Sequence, residues 1–318
     1  MSSDAVRRSQ AAPAATHLPL SLRLKAWWHG YDLRAIRRQM ELQAKQHGVS
    51  YEHELQPWER GLLKVQQMIW GEGFLGPGGA ERAAELVKPL GLDESMSVLE
   101  IGCGLGGQAR LIAREHGSWV TGIEADRELA DVARLMSEKA GFGKKAQVHA
   151  FDPEHVEFRQ RSFDVAISTD ALYRIADKER LLHAISEALK GRAQILLVDF
   201  LRNEEATDET ALKAWMETEP APPELWTERD YRKCLNDLKF DVRVCHDVSQ
   251  EMRSTIVGGF THYLNGAAQA GVDPALQELL VAEVERWTRT VAALDSGALR
   301  AVRLYGQRAQ REALLSDW

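Results

Sequence analysis

VLEIGCGLGGQ, residues 98–108, decides the fold. Apolar residues run into a single acid, Glu100, and glycines follow at 102, 104, 106 and 107. The apolar run predicts a buried strand, the glycines a tight turn, and GQARLIAREHG after them a helix that ends in glycine. Glycine admits close approach of a ligand to the backbone, and the free N–H groups of the following helix face it.

The residues around the turn narrow its ligand. SWVTGIEAD (118–126) reads as a second strand, AQVHAFD (146–152) as a third and FDVAIST (163–169) as a fourth. AQILLVDF (193–200), DVRVCHDV (241–248) and ALRAVRLYGQRA (298–309) complete a set of seven. RELADVARLMSEKAG, KERLLHAISEALKG and ERDYRKCLNDLKF read as helices between them. Such alternation predicts an α/β fold with a largely parallel sheet covered on both faces. Glu124 closes the second strand, where an acid accepts both ribose hydroxyls of a nucleoside. Asp152 closes the third, in reach of an adenine amino group. Glu100 stands where a dinucleotide would put its pyrophosphate. Like charges repel there, so a carboxylate suits a cationic ligand with an α-amino group. No Gly-Lys-Ser/Thr follows the glycines, which excludes a kinase-type phosphate loop.

Together these features resemble the class I S-adenosylmethionine-dependent methyltransferases, of the type 11 kind. The family's acid-then-glycine signature is matched by Glu100, Gly102, Cys103, Gly104 and Gly106, and its second-strand acid by Glu124, followed by Ala125. Its third-strand acid is matched by Asp152, and its fourth-strand FDxxxS by Phe163 to Ser168. The resemblance covers about residues 75–250 and the last strand. It implies a Rossmann-like seven-stranded sheet whose final strand inserts antiparallel beside the fifth. It also implies S-adenosylmethionine as cofactor, held by these residues and by Thr169.

A narrower resemblance lies in GEGFLGPGG (71–79) and STDALYRI (168–175), which are similar to the loop and post-strand segment of phosphoethanolamine N-methyltransferases. It places Asp170 near donor and acceptor. Thr169 stands for that family's arginine, Arg174 for its histidine, and Gln66-Gln67-Met68 for its Tyr-Glu-Arg. WGEGF is also similar to the entry segment of sterol and isoprenoid C-methyltransferases, without their aromatic-histidine run.

In an open parallel sheet ligands bind beyond the carboxyl ends of the strands. The acceptor is therefore expected near Asp170 and Tyr173, and near Asp199 and Phe200. Asp170 is the first candidate to orient or deprotonate it, with Tyr173 and His262 as further catalytic candidates. The expected reaction is in-line methyl transfer to nitrogen or oxygen of a small or lipid-like molecule. A sterol-type C-methyltransferase, a non-catalytic partner subunit of the same fold and a nicotinamide oxidoreductase are the alternatives.

The expected organisation is a disordered tail over 1–20, a helical extension over 21–75, the donor-binding core over 76–248, a helical lid over 249–297, and a terminal strand and tail over 298–318. A net charge of −7 argues against a general nucleic-acid binder. The chain lacks an apolar run of about 18 residues and the N-terminal stretch lacks a secretory apolar core. Its three cysteines have neither disulfide nor metal-ligand spacing. A cytoplasmic protein is expected. Trp27 and Trp28 among basic residues carry the chemistry for peripheral membrane contact through 21–40, though a helix packed on the core is the simpler reading. A homodimer is compatible with the composition.

Overall fold

The computed structural model describes residues 56–270 and 274–308. The expected tail over 1–20, the helices and membrane contact over 21–55, and the tail after 308 lie outside the described residues. Within them seven strands form one sheet: β1 (Ser97–Ile101), β2 (Trp119–Glu124), β3 (Ala146–Ala150), β4 (Phe163–Thr169), β5 (Leu189–Arg202), β6 (Phe240–Asp247) and β7 (Leu299–Arg308). Their order is β3-β2-β1-β4-β5-β7-β6. The first five are parallel, and β7 runs antiparallel between β5 and β6. This is the α/β Rossmann-like sheet that the sequence predicts, with the last strand beside the fifth.

The helices are α1 (Gly61–Trp70), α2 (Gly79–Val87), α3 (Gly107–Glu115), α4 (Arg127–Lys139), α5 (Lys178–Ala188), α6 (Thr210–Met216), α7 (Glu228–Asp237), α8 (Ser249–Ala270) and α9 (Gln277–Asp295). Their starts are written locally. Asp126 caps α4 by accepting from the N–H groups of Glu128 and Leu129, and Asp177 caps α5 through Arg180 N–H. Thr227 and Asp230 form a reciprocal capping box on α7.

Leu99, Ile101, Leu181, Ile185, Leu197 and Tyr231 pack one face of the sheet. Val98, Ala109, Ile112, Val165 and Leu196 pack the other. A third cluster joins Trp70 of α1, Trp215 of α6, Met252 and Tyr263 of α8 and Trp287 of α9 to Tyr173 and Phe200. It sits at the carboxyl end of the sheet, because Tyr173 follows β4 and Phe200 lies late in β5.

One boundary departs from expectation. The predicted fifth helix continues to Gly191, but α5 stops at Ala188 and β5 starts at once. Leu189 pairs with Phe163, and Arg308 of β7 donates to the carbonyls of Leu189 and Ser186. Partners more than a hundred residues away replace the last helical hydrogen bonds.

The order reverses between β1 and β4, so a crevice opens beyond their carboxyl ends. Glu100, Gly102, Thr169 and Asp170 stand there.

Candidate functional site

The turn after β1 is held mainly by backbone. Gly102 and Cys103 N–H both donate to the Ile123 carbonyl of β2, at 2.9 and 3.1 Å, and Gly106 N–H donates to the Cys103 carbonyl at 2.8 Å. Gly102, Gly104 and Gly106 have φ of 70°, 54° and 73°. A Cβ on Gly102 would lie 2.3 Å from the Ala171 Cβ. Gly102→Ala is therefore expected to lose about 2–3 kcal/mol, from backbone strain and overpacking together, read as a lowered Tm.

Glu124 closes the far side of the turn. Its Oε2 accepts from Gly104 N–H at 2.9 Å and its Oε1 from Asp126 N–H at 3.1 Å. Each oxygen keeps a lone pair for a hydroxyl donor. Burial raises its pKa against those two hydrogen bonds. Ala125 next to it is exposed.

Cys103, expected at the donor, is placed beneath the turn. Its N–H and carbonyl are spent within the protein, and its side chain packs with Ala130, Ala133 and Val148 against Gly122. It supports the turn from this side. Asp152 is exposed and is turned into its own loop, with Oδ1 accepting from Glu154 N–H and Oδ2 2.8 Å from His155 Nδ1. The His155 bond lowers its pKa.

Glu100 is buried at the end of β1, and its Oε2 has no hydrogen-bond partner. Desolvation, against the pull of Arg110, pushes its pKa up to about 8. Thr169 Oγ1 at the end of β4 and Gln108 Nε2 in the first turn of α3 also lack partners, as do the indole N–H groups of Trp70 and Trp215 in the aromatic cluster at this end of the sheet. Buried polar groups are normally paired, so an acceptor, a donor and a hydroxyl left open on the segments that end β1, end β4 and start α3 fit a polar ligand. A nucleoside with a cationic amino-acid arm has the matching groups.

The glycine-rich loop after α1 closes over this turn. Gly107 N–H, at the start of α3, donates to the Gly73 carbonyl at 3.1 Å. Gly73 N–H in turn donates to Gln67 Oε1 at 2.9 Å, and Gln67 Nε2 reaches the carbonyls of Trp58 and Leu63. Gln67, one of the departures in the sequence, is thus the loop's anchor. Arg110 fastens the other side by donating to the Leu105 carbonyl at 2.7 Å.

Asp170 has a φ of 54°, a left-handed conformation forced directly after the strand. Its carboxylate forms a fork with Arg82 of α2, with Nη1–Oδ2 at 2.5 Å and Nη2–Oδ1 at 3.1 Å. Tyr173, a further catalytic candidate, is enclosed. It is 1% exposed, and its hydroxyl donates to Glu219 Oε2 at 3.0 Å. Burial raises its pKa against the pull of Arg174. Its backbone is clamped as well: its N–H donates to Asp199 Oδ1 at 3.0 Å and its carbonyl accepts from Glu224 N–H at 2.7 Å. His262, the other candidate, is placed at the surface. It is exposed on α8, while the neighbouring Tyr263 is buried. Adjacent helical residues point about 100° apart, so only one of the two faces inward.

A family model described as a methyltransferase domain matches residues 78–243. That is more than half of the 318 residues. The chain belongs to the methyltransferase-domain family. Among curated relatives it is 26% identical over 189 residues to the phosphoethanolamine N-methyltransferase of Plasmodium falciparum, spanning 59% of this chain and 69% of that one. It is 28% identical over 194 residues to phosphoethanolamine N-methyltransferase 1 of Triticum aestivum, spanning 61% of this chain and 37% of that protein. Among solved structures, phosphoethanolamine N-methyltransferase 2 of Haemonchus contortus, in complex with phosphomonomethylethanolamine and S-adenosylhomocysteine, superposes with a TM-score of 0.68. That match is 21% identical and covers 78% of this chain and 57% of that one.

Two Haemonchus contortus structures hold S-adenosylhomocysteine and S-adenosyl-L-methionine, respectively. The family assignment sets the nicotinamide oxidoreductase alternative aside. Sequence reasoning missed the partners that set the far side of the crevice: Arg82, Glu219, Glu283 and Arg286. Arg82 meets Asp170 across 88 positions, and Glu219 lies in a segment without periodic pattern. Asp199 was named only by position. It is buried, accepts from Tyr231 Oη at 2.7 Å, and has its pKa pushed up to about 7 by desolvation. Among the described residues no helix is long and apolar enough to cross a membrane.

Proposed function

We propose that this methyltransferase transfers the methyl group of S-adenosylmethionine to the nitrogen of a small amine. The observation that carries the reading is the set of unpartnered buried atoms at the crevice, Glu100 Oε2, Thr169 Oγ1 and Gln108 Nε2. The curated relatives named as phosphoethanolamine N-methyltransferases support nitrogen as the receiving atom.

In this reading Glu100 takes the donor's α-ammonium, Glu124 its ribose hydroxyls, and Ala125 and Asp152 flank the adenine. The turn of Gly102, Gly104 and Gly106 admits the donor closely, and Thr169 faces the reacting end. The sulfonium supplies an already activated methyl group, so the protein must mainly align the amine and exclude water. Asp170, locked by Arg82, holds the acceptor nitrogen at the end of β4. An amine must lose its proton before it attacks, and entry into a dry crevice lowers an ammonium pKa.

Calorimetry with S-adenosylhomocysteine and a labelled-donor screen over amines, alcohols and carbon nucleophiles test this. Tight NAD binding with no S-adenosylhomocysteine binding would sink the donor assignment. Label transferred only to oxygen or carbon would sink the amine.

A further inference from the structure

Among the described residues, three arginines reach the turn after β4, and each is already matched to a carboxylate of the chain. Arg82 forks onto Asp170. Arg174 Nη2 donates to Glu219 Oε2 at 3.1 Å. Arg286 Nε of α9 donates to Glu219 Oε1 at 3.2 Å, with its Nη1 3.8 Å from Glu283. The Tyr173 hydroxyl adds a third donor to Glu219.

Two guanidinium groups and a hydroxyl around one carboxylate make an anion site, since the arginine fork suits carboxylate and phosphate alike. The Glu219 side chain is 1% exposed, whereas Arg174 is 34% exposed and so reachable from solvent. Desolvation opposes ionisation of Glu219, but Arg286 and Arg174 outweigh it and bring its pKa down to about 2. The site is therefore filled by a permanent internal anion.

We propose that Glu219 is a specificity-determining residue: it occupies the arginine-lined anion site beside the acceptor turn, so that the acceptor is an amine without a phosphate group. The inference rests on the amine-methylation reading above. A phosphomonoester dianion arriving here would face Glu219 and Asp170. It could use Arg174 and Arg286 only by expelling Glu219, which would leave a buried carboxylate unpaired. A phosphate-free amine needs neither Arg174 nor Arg286, so it leaves Glu219 and its arginines paired. Specificity of this kind is set by the repulsive element as much as by the attractive one. It separates the chain from relatives whose names specify phosphoethanolamine.

The test titrates inorganic phosphate into the full chain, wild type and Glu219→Gln, by calorimetry, with and without S-adenosylhomocysteine. The wild type should show no saturable phosphate binding in the millimolar range. The Gln variant keeps the shape and frees the arginines, and should bind phosphate at least about tenfold more tightly. Submillimolar phosphate binding by the wild type overturns the proposal, as does a folded Gln variant that still ignores phosphate. If the variant does not fold, the wild type decides through turnover. Methylation of phosphoethanolamine overturns the proposal, and turnover of a phosphate-free amine that added phosphate leaves uninhibited supports it. S-adenosylhomocysteine binding in the same cell reads the donor assignment separately, so failure of that assignment and failure of the acceptor inference are distinguishable.

Discussion

Asp170→Ala is expected to lose methyl transfer by about a hundredfold or more while S-adenosylhomocysteine affinity stays within about twofold. Asp170 directly follows β4, on the side of the crevice proposed for the acceptor, and Glu100, Glu124 and the glycine turn do not contact it in the hydrogen-bond network. Removing its carboxylate leaves the Arg82 guanidinium, only 11% exposed, without its fork partner. A buried pair broken from one side costs about 3 kcal/mol, so a lowered Tm accompanies the lost turnover. Asp170→Asn separates the two effects. Asparagine tolerates the left-handed conformation better than alanine does and keeps the shape and an acceptor for Arg82, so the Asn variant recovers the backbone part of the loss but not the ion pair. If either variant turns over at the wild-type rate, Asp170 leaves the acceptor site.

The second large effect is on donor affinity and its pH dependence. Burial raises the Glu100 pKa from the ordinary 4.5 to about 8 in the free protein. A cationic amino-acid arm binds the ionised form, so a proton must leave for the donor to bind. S-adenosylhomocysteine affinity should therefore rise by up to about tenfold per pH unit from pH 6 to pH 8 and level off above that. Stability of the free protein moves the other way. The folded state holds the Glu100 proton more tightly than the unfolded state does. This group's contribution is thus complete below about pH 4.5 and is lost as pH rises through about 8. Glu100→Gln removes the titration: the affinity profile flattens, affinity at pH 8 drops by about tenfold or more, and the free protein gains stability at pH 8. Calorimetry across pH and thermal melts read both. A wild-type affinity that is flat between pH 6 and pH 8 would remove Glu100 from the ammonium site.

These predictions draw unequally on the sequence. β4 appears over the predicted residues because FDVAIST is an apolar run bounded by a turn and a polar end. The caps of α4, α5 and α7 are equally local, since Asp126, Asp177 and Thr227 act within three residues of themselves. His262 shows a signal that was present and unused. Met252, Ile256 and Tyr263 are the buried apolar residues among the described side chains of α8 and share its helical period, which turns His262 outward. Cys103 lay inside the right motif, but motif membership does not say which way a side chain points.

The strand and helix alternation, the donor turn and the acids that close its strands were determined by the chain itself. Each depends on contacts within a few residues or on a hydrophobic period, and both are visible along a line. The far side of the crevice was decided only by the tertiary structure. Arg82 meets Asp170, Glu219 meets Arg174 and Arg286, and Arg308 ends α5, each across tens to more than a hundred positions. An ion pair between distant segments leaves no period in the sequence. The donor side is therefore legible as VLEIGCGLGGQ, and the acceptor side exists only once the helices have packed over it.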